Sequence, residues 1–219
     1  MKATINFFLM LFAVALLAGC NQPAAVAAPK PKSKSAYFRL ANFTSDPQVV
    51  SIAGLPEATP LDWGKASNLV KRRVGKVKVG VVEKNGEVDL KESGGTLFLL
   101  GDPIAPTQVL VDNETKKASK GQALLKVVNL SASAVSFEGL GEAPVKVEPR
   151  SGSMPAAQAP GIAIISCTVN GKKIEKSFNM GDETSNVAVL VKKGNGYEFV
   201  VLVTPEAMGI ESMNASPGT

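Results

Sequence analysis

The sequence of 219 residues contains no histidine, and this absence removes several classes of chemistry. A Ser-His-Asp or Cys-His nucleophile system, a histidine metal ligand and an imidazole proton shuttle all require that residue. Cysteine is scarce as well, because Cys20 and Cys167 are too few for a zinc site or a disulfide framework. We therefore predict no catalytic residue, no cofactor and no metal, and we expect a protein that is not an enzyme.

Aromatic residues make up only 5% of the chain, and no aromatic side chains alternate with basic ones as in a nucleic-acid-binding surface. The acidic residues are scattered, and the glycines lack the strand, loop and helix order of a phosphate-binding loop. Apolar residues nevertheless reach 45%, which is enough for a hydrophobic core. The composition is typical of a globular protein that does not bind nucleic acid.

The first twenty residues predict export and lipid attachment. Lys2 provides a positive end, and the apolar run over residues 5–17 is shorter than the roughly 20 residues of a membrane-spanning helix. The run closes with Leu-Ala-Gly-Cys, which resembles the bacterial lipobox, so we predict a signal peptide over residues 1–19 and lipidation of Cys20. The alternative is an ordinary signal peptide with a chance cysteine. Asn21, where aspartate would resemble an inner-membrane retention signal, favours the periplasmic leaflet of the outer membrane.

Residues 20–35 are predicted to be a flexible linker. They are rich in proline, alanine and lysine and contain no large apolar residue beyond Val26, so they cannot form a core. A chain of about fifteen such residues in an extended conformation spans roughly 45 Å, which holds the folded part away from the bilayer. Contact of the lysines with anionic lipid head groups is the alternative.

The remaining sequence contains an internal repeat. Residues 37–44 (YFRLANFT) and 124–131 (LLKVVNLS) share the order apolar, apolar, basic, apolar, apolar, Asn, apolar, hydroxyl at an offset of 87. Further blocks follow in the same order: 50–52 with 135–137 and 76–84 with 161–169 at offset 85, 97–100 with 187–190 at 90, and 108–111 with 199–202 at 91. Ordered blocks at a nearly constant offset indicate an internal duplication.

Each copy has the pattern of a β-sandwich. Short runs of Val, Ile, Leu and Phe alternate with turn residues about every ten positions. Roughly six or seven strands in about 80 to 85 residues are close to the immunoglobulin-like (Ig-like) sandwich in size. We predict an all-β protein of two tandem Ig-like β-sandwich domains, residues 36–118 and 119–206, followed by a flexible tail over residues 207–219.

Two Asn-Gly pairs predict tight hairpins. Asn85-Gly86 and Asn170-Gly171 each follow an apolar block, and a type I′ turn requires the positive φ that this pair tolerates.

Two asparagines occupy the same column of the repeat. Asn42 and Asn129 stand where a first strand ends, and each is followed two residues later by a hydroxyl side chain. We predict that their side chains satisfy backbone groups of the turn. A matched pair of ligand-binding residues is the alternative.

Two stretches at equivalent places differ between the copies. Residues 56–75 contain the only tryptophan and are compatible with a short helix between Asp62 and Arg73, whereas residues 141–160 are rich in proline and serine. Loops on a rigid scaffold are where function diverges.

The largest charge asymmetry lies between Asp62 and Glu83, where basic residues occur without an acidic one: Lys65, Lys71, Arg72, Arg73, Lys76 and Lys78. Such a patch can contact an acidic polysaccharide, lipid head groups or a negatively charged partner. Trp63 beside it can stack on a sugar ring. The alternatives are a solvated loop with an edge strand whose lysines discourage aggregation, and a tryptophan that anchors the loop.

Cys167 lies in the apolar run over residues 162–169, where Val82 is its counterpart in the first copy. We predict a small buried side chain, because a reactive thiol needs exposure and an electropositive neighbour.

A signal sequence followed by two short β domains, each opening with a basic residue inside an apolar strand that ends in asparagine, resembles the periplasmic alginate biosynthesis proteins of the AlgF-like family. The motifs are Arg39 to Asn42 and Lys126 to Asn129, and the likeness covers residues 36–204. The arrangement is also similar to small Ig-like domains of bacterial surface proteins. The resemblance implies a non-catalytic accessory in O-acetylation of an exported polymer, and it transfers no catalytic residue. The lipobox at Cys20 departs from the soluble form expected of that family.

These observations leave three functions open. The first is a periplasmic lipoprotein, anchored to the bilayer through Cys20, that acts as an accessory or adaptor in O-acetylation or export of an acidic exopolysaccharide and contacts an acyltransferase. The second is direct binding of acidic polysaccharide through the basic residues of segment 65–78. The third is a structural envelope lipoprotein without a specific ligand.

Overall fold

The structure, a computed structural model, describes residues 34–53, 59–81, 84–112 and 118–205. Over these residues the protein is all-β, and its sheets form sandwich-like layers, as the sequence predicts. The described residues belong to one compact unit that begins at Ser33. The predicted signal peptide, Cys20, most of the linker and the tail over residues 207–219 lie outside the described residues.

Each repeat contains nine strands within the described residues, more than the six or seven predicted. In the first repeat they are β1 (Ser35–Thr44), β2 (Gln48–Ile52), β3 (Thr59–Leu61), β4 (Lys65–Ala66), β5 (Val70–Arg73), β6 (Gly75–Val81), β7 (Lys84–Leu90), β8 (Gly95–Gly101) and β9 (Thr107–Asp112). In the second they are β10 (Ala123–Asn129), β11 (Val135–Glu138), β12 (Val145–Val147), β13 (Ser151–Gly152), β14 (Ala156–Gln158), β15 (Gly161–Val169), β16 (Lys172–Met180), β17 (Thr184–Lys193) and β18 (Gly196–Pro205).

The two repeats have the same sheet topology. In the first, an inner sheet consists of β1, which pairs with β4, β5 and β8, and of β9, which pairs with β8. An outer sheet has the order β3-β2-β6-β7. In the second, β10, β13, β14, β17 and β18 form the inner sheet and β12-β11-β15-β16 the outer sheet, with every pairing repeated. Even the parallel pair β1 and β8 recurs as β10 and β17. Identical pairing of corresponding strands is what an internal duplication produces.

Each repeat has a hydrophobic core between its two sheets. Phe38 and Val79 belong to the core of the first repeat, and Phe137 and Ile165 to that of the second. Along β6 every second side chain is buried, because successive side chains of a strand point to opposite faces. The outward side chains of the outer sheets are therefore free to differ between the repeats.

The inner sheets of the two repeats pack against each other. A third hydrophobic cluster combines Phe43 and Phe98 of the first repeat with Val128 and Val189 of the second. Phe98 and Val189 are completely buried. The central strands of the inner sheets are thus apolar on both faces, one toward their own core and one toward the other repeat. This shared cluster joins the repeats within one compact unit.

The predicted turn chemistry of the paired asparagines is confirmed. Asn42 Nδ2 donates to the carbonyl oxygens of Asp46 (3.0 Å) and Leu61 (2.8 Å). Its Oδ1 accepts hydrogen bonds from Thr44 N (2.9 Å) and Oγ1 (2.8 Å). Asn129 makes the same four bonds in the second repeat, at 2.6–3.0 Å. Each asparagine therefore fastens the end of the first strand to the following turn and to the third strand.

The short helix predicted over residues 62–73 does not form. These residues contain β4 and β5, which pair with the edge of β1. Ser67 bridges the break between the two short strands, since its Oγ accepts a hydrogen bond from Leu40 N at 3.0 Å. Ser153 does the same in the second repeat. Without this pairing the backbone groups along β1 would lack partners, so tertiary pairing outweighs the local helix preference.

One predicted Asn-Gly hairpin is confirmed and the other is wrong. Asn170 and Gly171 form the turn between β15 and β16, with φ of 52° and 74°. Asn85 and Gly86 lie inside β7 instead, where they pair with Gly80 and Val79 of β6. The last pair of this hairpin is Val81 with Lys84, so the chain reverses before Asn85, in a register that places the buried Val88 opposite the buried Val77.

Three repeat offsets change with the observed strand registers. The hydrogen bonds of Asn42 and Asn129 align Leu61 with Val147, so the strands paired with these residues, β2 and β11, correspond at an offset of 87 rather than 85. The pairing of β2 with β6 and of β11 with β15 then makes Val81, not Val82, the counterpart of Cys167, an offset of 86 rather than 85. The pairing of β1 with β8 and of β10 with β17 makes Phe98 equivalent to Val189, an offset of 91 rather than 90. Because β8 and β17 are apolar on both faces, alternation does not reveal their phase.

Candidate functional site

The structure divides the predicted basic segment between two surfaces. Four residues lie on the short strands β4 and β5 at the edge of the inner sheet: Lys65, Lys71, Arg72 and Arg73. Lys76 and Lys78 lie on β6, on the face of the outer sheet that points away from the core. The sequence segment therefore contributes to two separate basic groups.

The edge group follows β1. Arg73 is opposite Ser35 at one end of that strand, and Lys65 is opposite Asn42 near the other. This register corresponds to a row roughly 23 Å long. Arg72 is half-buried, and its Nε and Nη2 have no hydrogen-bond partner among the described residues. Unpartnered guanidinium donors cost free energy, and an anion bound at this edge would satisfy them.

Trp63 belongs to the interface between the repeats. Its ring packs edge-to-face against Phe43, with centroids 5.7 Å apart. Lys193 of the second repeat places its Nζ 4.1 Å from the centroid of the Trp63 ring, a cation–π contact. Because Lys193 lies over the ring, Trp63 is not an open platform for a sugar.

The outer sheet of the first repeat carries a groove of ≈ 490 Å³, within the usual range for small-molecule sites. Two rows of residues across β2, β6 and β7 line it: Ser51, Gly80 and Asn85 in the first row, and Ala53, Lys78 and Glu87 in the second. Among these residues the sequence predicted only Lys78 as a candidate binding residue. The groove itself arises from strand pairing between segments far apart in the chain, which the sequence does not reveal.

The charges along this groove are unevenly matched. Lys76 Nζ lies 3.5 Å from Glu87 Oε2, in an exposed ion pair. The side-chain Nζ of Lys78 forms no ion pair or hydrogen bond with any other residue that the structure describes. Since exposed ion pairs contribute little, Lys78 provides the positive charge that a ligand in the groove would meet.

The equivalent place in the second repeat is filled. The strand registers place Ser166 where the first repeat has Gly80, and Ile164 where it has Lys78. Ser166 Oγ donates a hydrogen bond to Glu138 Oε2 at 2.9 Å. The second repeat therefore has a hydroxyl side chain where the first has glycine, and an apolar side chain where the first has a cation.

The outer sheet of the second repeat also carries exposed apolar side chains. Ile162 and Ile164, both on β15, are 80% and 54% exposed. The registers place Ile162 where the first repeat has Lys76 and Ile164 where it has Lys78. Adjacent exposed apolar side chains on one sheet face are typical of a protein contact surface.

Two buried cations occupy equivalent positions at the interface between the repeats. Arg39 donates a hydrogen bond from Nε to Thr96 Oγ1 at 3.2 Å, and burial lowers the pKa of its guanidinium to about 10. Lys126 donates from Nζ to the carbonyl oxygen of Asp112, which lies in the other repeat. The sequence signal was a basic residue inside an apolar strand of each copy, and the structure shows both side chains buried.

Cys167 is buried in the core of the second repeat. Burial raises the pKa of its thiol to about 11, so the thiol is protonated at neutral pH. Among the described ranges no group of acidic and cysteine side chains is arranged to hold a metal ion. No helix within those ranges is long and apolar enough to cross a membrane.

Comparisons with known proteins add little to this geometry. No protein-family model and no curated protein matches the chain. One similar solved structure is that of a "putative cell adhesion protein" from Bacteroides fragilis, at 9% identity and a TM-score of 0.20, covering 80% of this chain and 84% of the other. At that TM-score the similarity bears on neither the fold nor the function of this chain.

Proposed function

We propose that the protein is a non-catalytic periplasmic lipoprotein that acts as an adaptor in O-acetylation or export of an acidic exopolysaccharide. One observation carries the proposal: two sandwiches of identical topology are joined through their inner sheets, and their outer sheets have diverged into different chemistry. The outer sheet of the first repeat is polar and carries charges of both signs, with Lys76 and Lys78 opposite Asp89 and Glu87, and that of the second exposes Ile162 and Ile164. Two unlike surfaces on one scaffold suit a protein that binds two different molecules.

The resemblance of the sequence to the alginate accessory family supplies the polymer and the reaction. In that interpretation the apolar surface on β15 contacts an acyltransferase, and the outer sheet of the first repeat, with Lys78, faces the polymer. A lipid anchor at Cys20 and the linker after it would keep the adaptor at the membrane, where two or three acyl chains bind firmly. The periplasmic leaflet of the outer membrane is the proposed location.

Co-purification tests the adaptor. We expect the full-length protein, extracted from membranes in mild detergent, to bring down an envelope acyltransferase. Ile164→Lys, which introduces the residue found at the equivalent position of the first repeat, should reduce the recovered partner about tenfold. Val49→Lys is the matched control, because Val49 is 55% exposed on the outer sheet of the first repeat. Cys20→Ser should move the protein from the membrane to the soluble periplasmic fraction.

Three results would contradict the proposal. If the unaltered protein recovers no acyltransferase, the adaptor function is wrong, and a structural lipoprotein becomes the better interpretation. If Val49→Lys and Ile164→Lys reduce recovery equally, the partner does not use the apolar surface on β15. If the Cys20→Ser protein stays with the membrane, the anchor is elsewhere.

A second candidate function is direct binding of polyanion along the edge of the inner sheet. The unpartnered donors of Arg72 favour it. The triple variant Lys65→Glu, Lys71→Glu and Arg73→Glu should then lose salt-sensitive retention on immobilised alginate, because electrostatic attraction between exposed charges is screened by salt. The matched control reverses three exposed lysines of the second repeat, Lys146, Lys172 and Lys176. Equal retention of the two triple variants would rule this candidate out.

A further inference from the structure

We propose that the groove on the outer sheet of the first repeat binds a single carboxylate-bearing sugar, a hexuronate residue of an acidic polysaccharide. This inference rests on the proposed function for the polymer, and it assigns the binding to residues around Gly80. It concerns a different surface from the basic row along β1.

The floor of the groove depends on the absence of a side chain at Gly80. A Cβ added there would lie 2.4 Å from Ser51 Oγ and 3.2 Å from Asn85 Oδ1. The Ser51 hydroxyl therefore lies over Gly80, in the space that a Cβ would take, and the Asn85 side chain borders it from the strand on the other side. A ligand in the groove would meet these two polar side chains.

The groups around this floor match a sugar acid. Ser51 and Asn85 can each donate and accept hydrogen bonds, and Glu87 accepts them, which suits the hydroxyl groups of a pyranose. Lys78 carries a positive charge with no partner among the residues that the structure describes. A carboxylate placed over the groove would form a charge-assisted hydrogen bond with Lys78 Nζ.

The lining contains no aromatic residue among those described. A sugar bound here has no stacking platform, so its affinity depends on hydrogen bonds and on the charge. The contact between the sugar carboxylate and Lys78 is therefore what makes the groove bind an acidic sugar more tightly than its neutral counterpart.

The second repeat provides an internal comparison. At the position of Asn85 it has Glu175, which pairs with Lys173 at 2.9 Å, and this contact raises the pKa of Lys173. Ser166 stands in place of Gly80 and donates a hydrogen bond to Glu138, so the polar side chains of this sheet hold one another. Binding is therefore expected at the first repeat alone.

Titration followed by NMR tests the proposal on the mature chain, made soluble by Cys20→Ser. The probes are trisaccharides of mannuronate and of galacturonate, each with its methyl ester as the uncharged control. We expect the free acids to shift the amide signals of Lys78, Gly80 and Asn85, and to leave Ser166, the counterpart of Gly80, unchanged. Raising the salt concentration should weaken binding of the acids, because screening reduces attraction between exposed charges.

Two variants alter the groove directly. Lys78→Ser should weaken binding of the acids at least tenfold and bring them to the level of the esters. Gly80→Thr should abolish binding, because its side chain would displace the Ser51 hydroxyl and fill the groove. The control is Lys176→Ser, an exposed lysine on β16, which should change the affinity less than twofold. If Gly80→Thr does not fold, Lys78→Ser decides the outcome, since Lys78 is exposed and holds no other described residue in place.

Several results would overturn the inference. Equal affinity for the acids and their methyl esters would show that the carboxylate plays no part in binding. Amide shifts on β4 and β5 would show that the sugar binds at the edge of the inner sheet instead. No shift at millimolar sugar would show that the groove is not a sugar site. Each of these results leaves co-purification with an acyltransferase unaffected, so failure of this inference is distinguishable from failure of the adaptor function.

Discussion

Replacing Asn42 with alanine is expected to lower the free energy of unfolding by about 3–5 kcal/mol. The side chain is completely buried, and its four hydrogen bonds join the end of β1 to the following turn and to β3. Alanine would leave Leu61 O and Thr44 N buried without these partners. Each unsatisfied buried group costs about 1–3 kcal/mol, and the cavity adds to that loss.

Urea unfolding followed by far-ultraviolet circular dichroism measures this loss. Asn129→Ala should produce a similar loss, because the second repeat has the same four bonds. Asn85→Ala, at an exposed position of β7, is the control and should change the free energy of unfolding by less than about 0.5 kcal/mol. A loss below about 1 kcal/mol in both buried variants would show that the asparagines are not structural.

Replacing Phe98 with alanine is expected to lower the free energy of unfolding by about 3–5 kcal/mol and to weaken the coupling between the repeats. Phe98 is completely buried in the cluster that the two inner sheets share. The substitution leaves a cavity between the repeats, while the core of each repeat keeps its own residues. The interface should therefore open at a lower urea concentration than either sandwich.

Two spectroscopic signals distinguish opening of the interface from unfolding of the two sandwiches. Fluorescence of Trp63 reports on the interface, because the ring contacts Phe43 and Lys193, whereas far-ultraviolet circular dichroism reports on the strands. The unaltered protein should show coincident transitions, as a cooperative unit does, and Phe98→Ala should show the fluorescence change first. Val189→Ala, across the interface, should have the same effect with a smaller loss. Coincident transitions in both variants would contradict the coupling role of this cluster.

Local patterns predicted the fold class and the repeat well. Buried and exposed residues largely alternate along β6 and β15, one strand from each outer sheet, so their hydrophobic period is visible in the sequence. The asparagine column was predicted because most of its bonds reach the next turn, through residues close in the chain. Asn170-Gly171 was predicted because a type I′ turn depends on the positive φ of its own two residues.

The wrong predictions involve segments whose partners are distant in sequence. The turn at Asn85-Gly86 failed because both residues pair with β6, in a register that places Val88 opposite Val77 in the core. The helix over residues 62–73 failed because β1 needs partners along that edge. Likewise, the groove around Gly80 combines three strands, and only their pairing brings Ser51 and Asn85 together.

The amino-acid order alone determined that this chain folds as two like β units without histidine chemistry, since periodicity and composition are local properties. Whether a basic side chain lies at an edge, in a groove or inside an interface depends on long-range pairing and burial. Tertiary structure decided that Lys78 borders an open groove while Lys126 is buried between the repeats. The physical reason is that the same residue type faces water or protein according to which sheet lies opposite it.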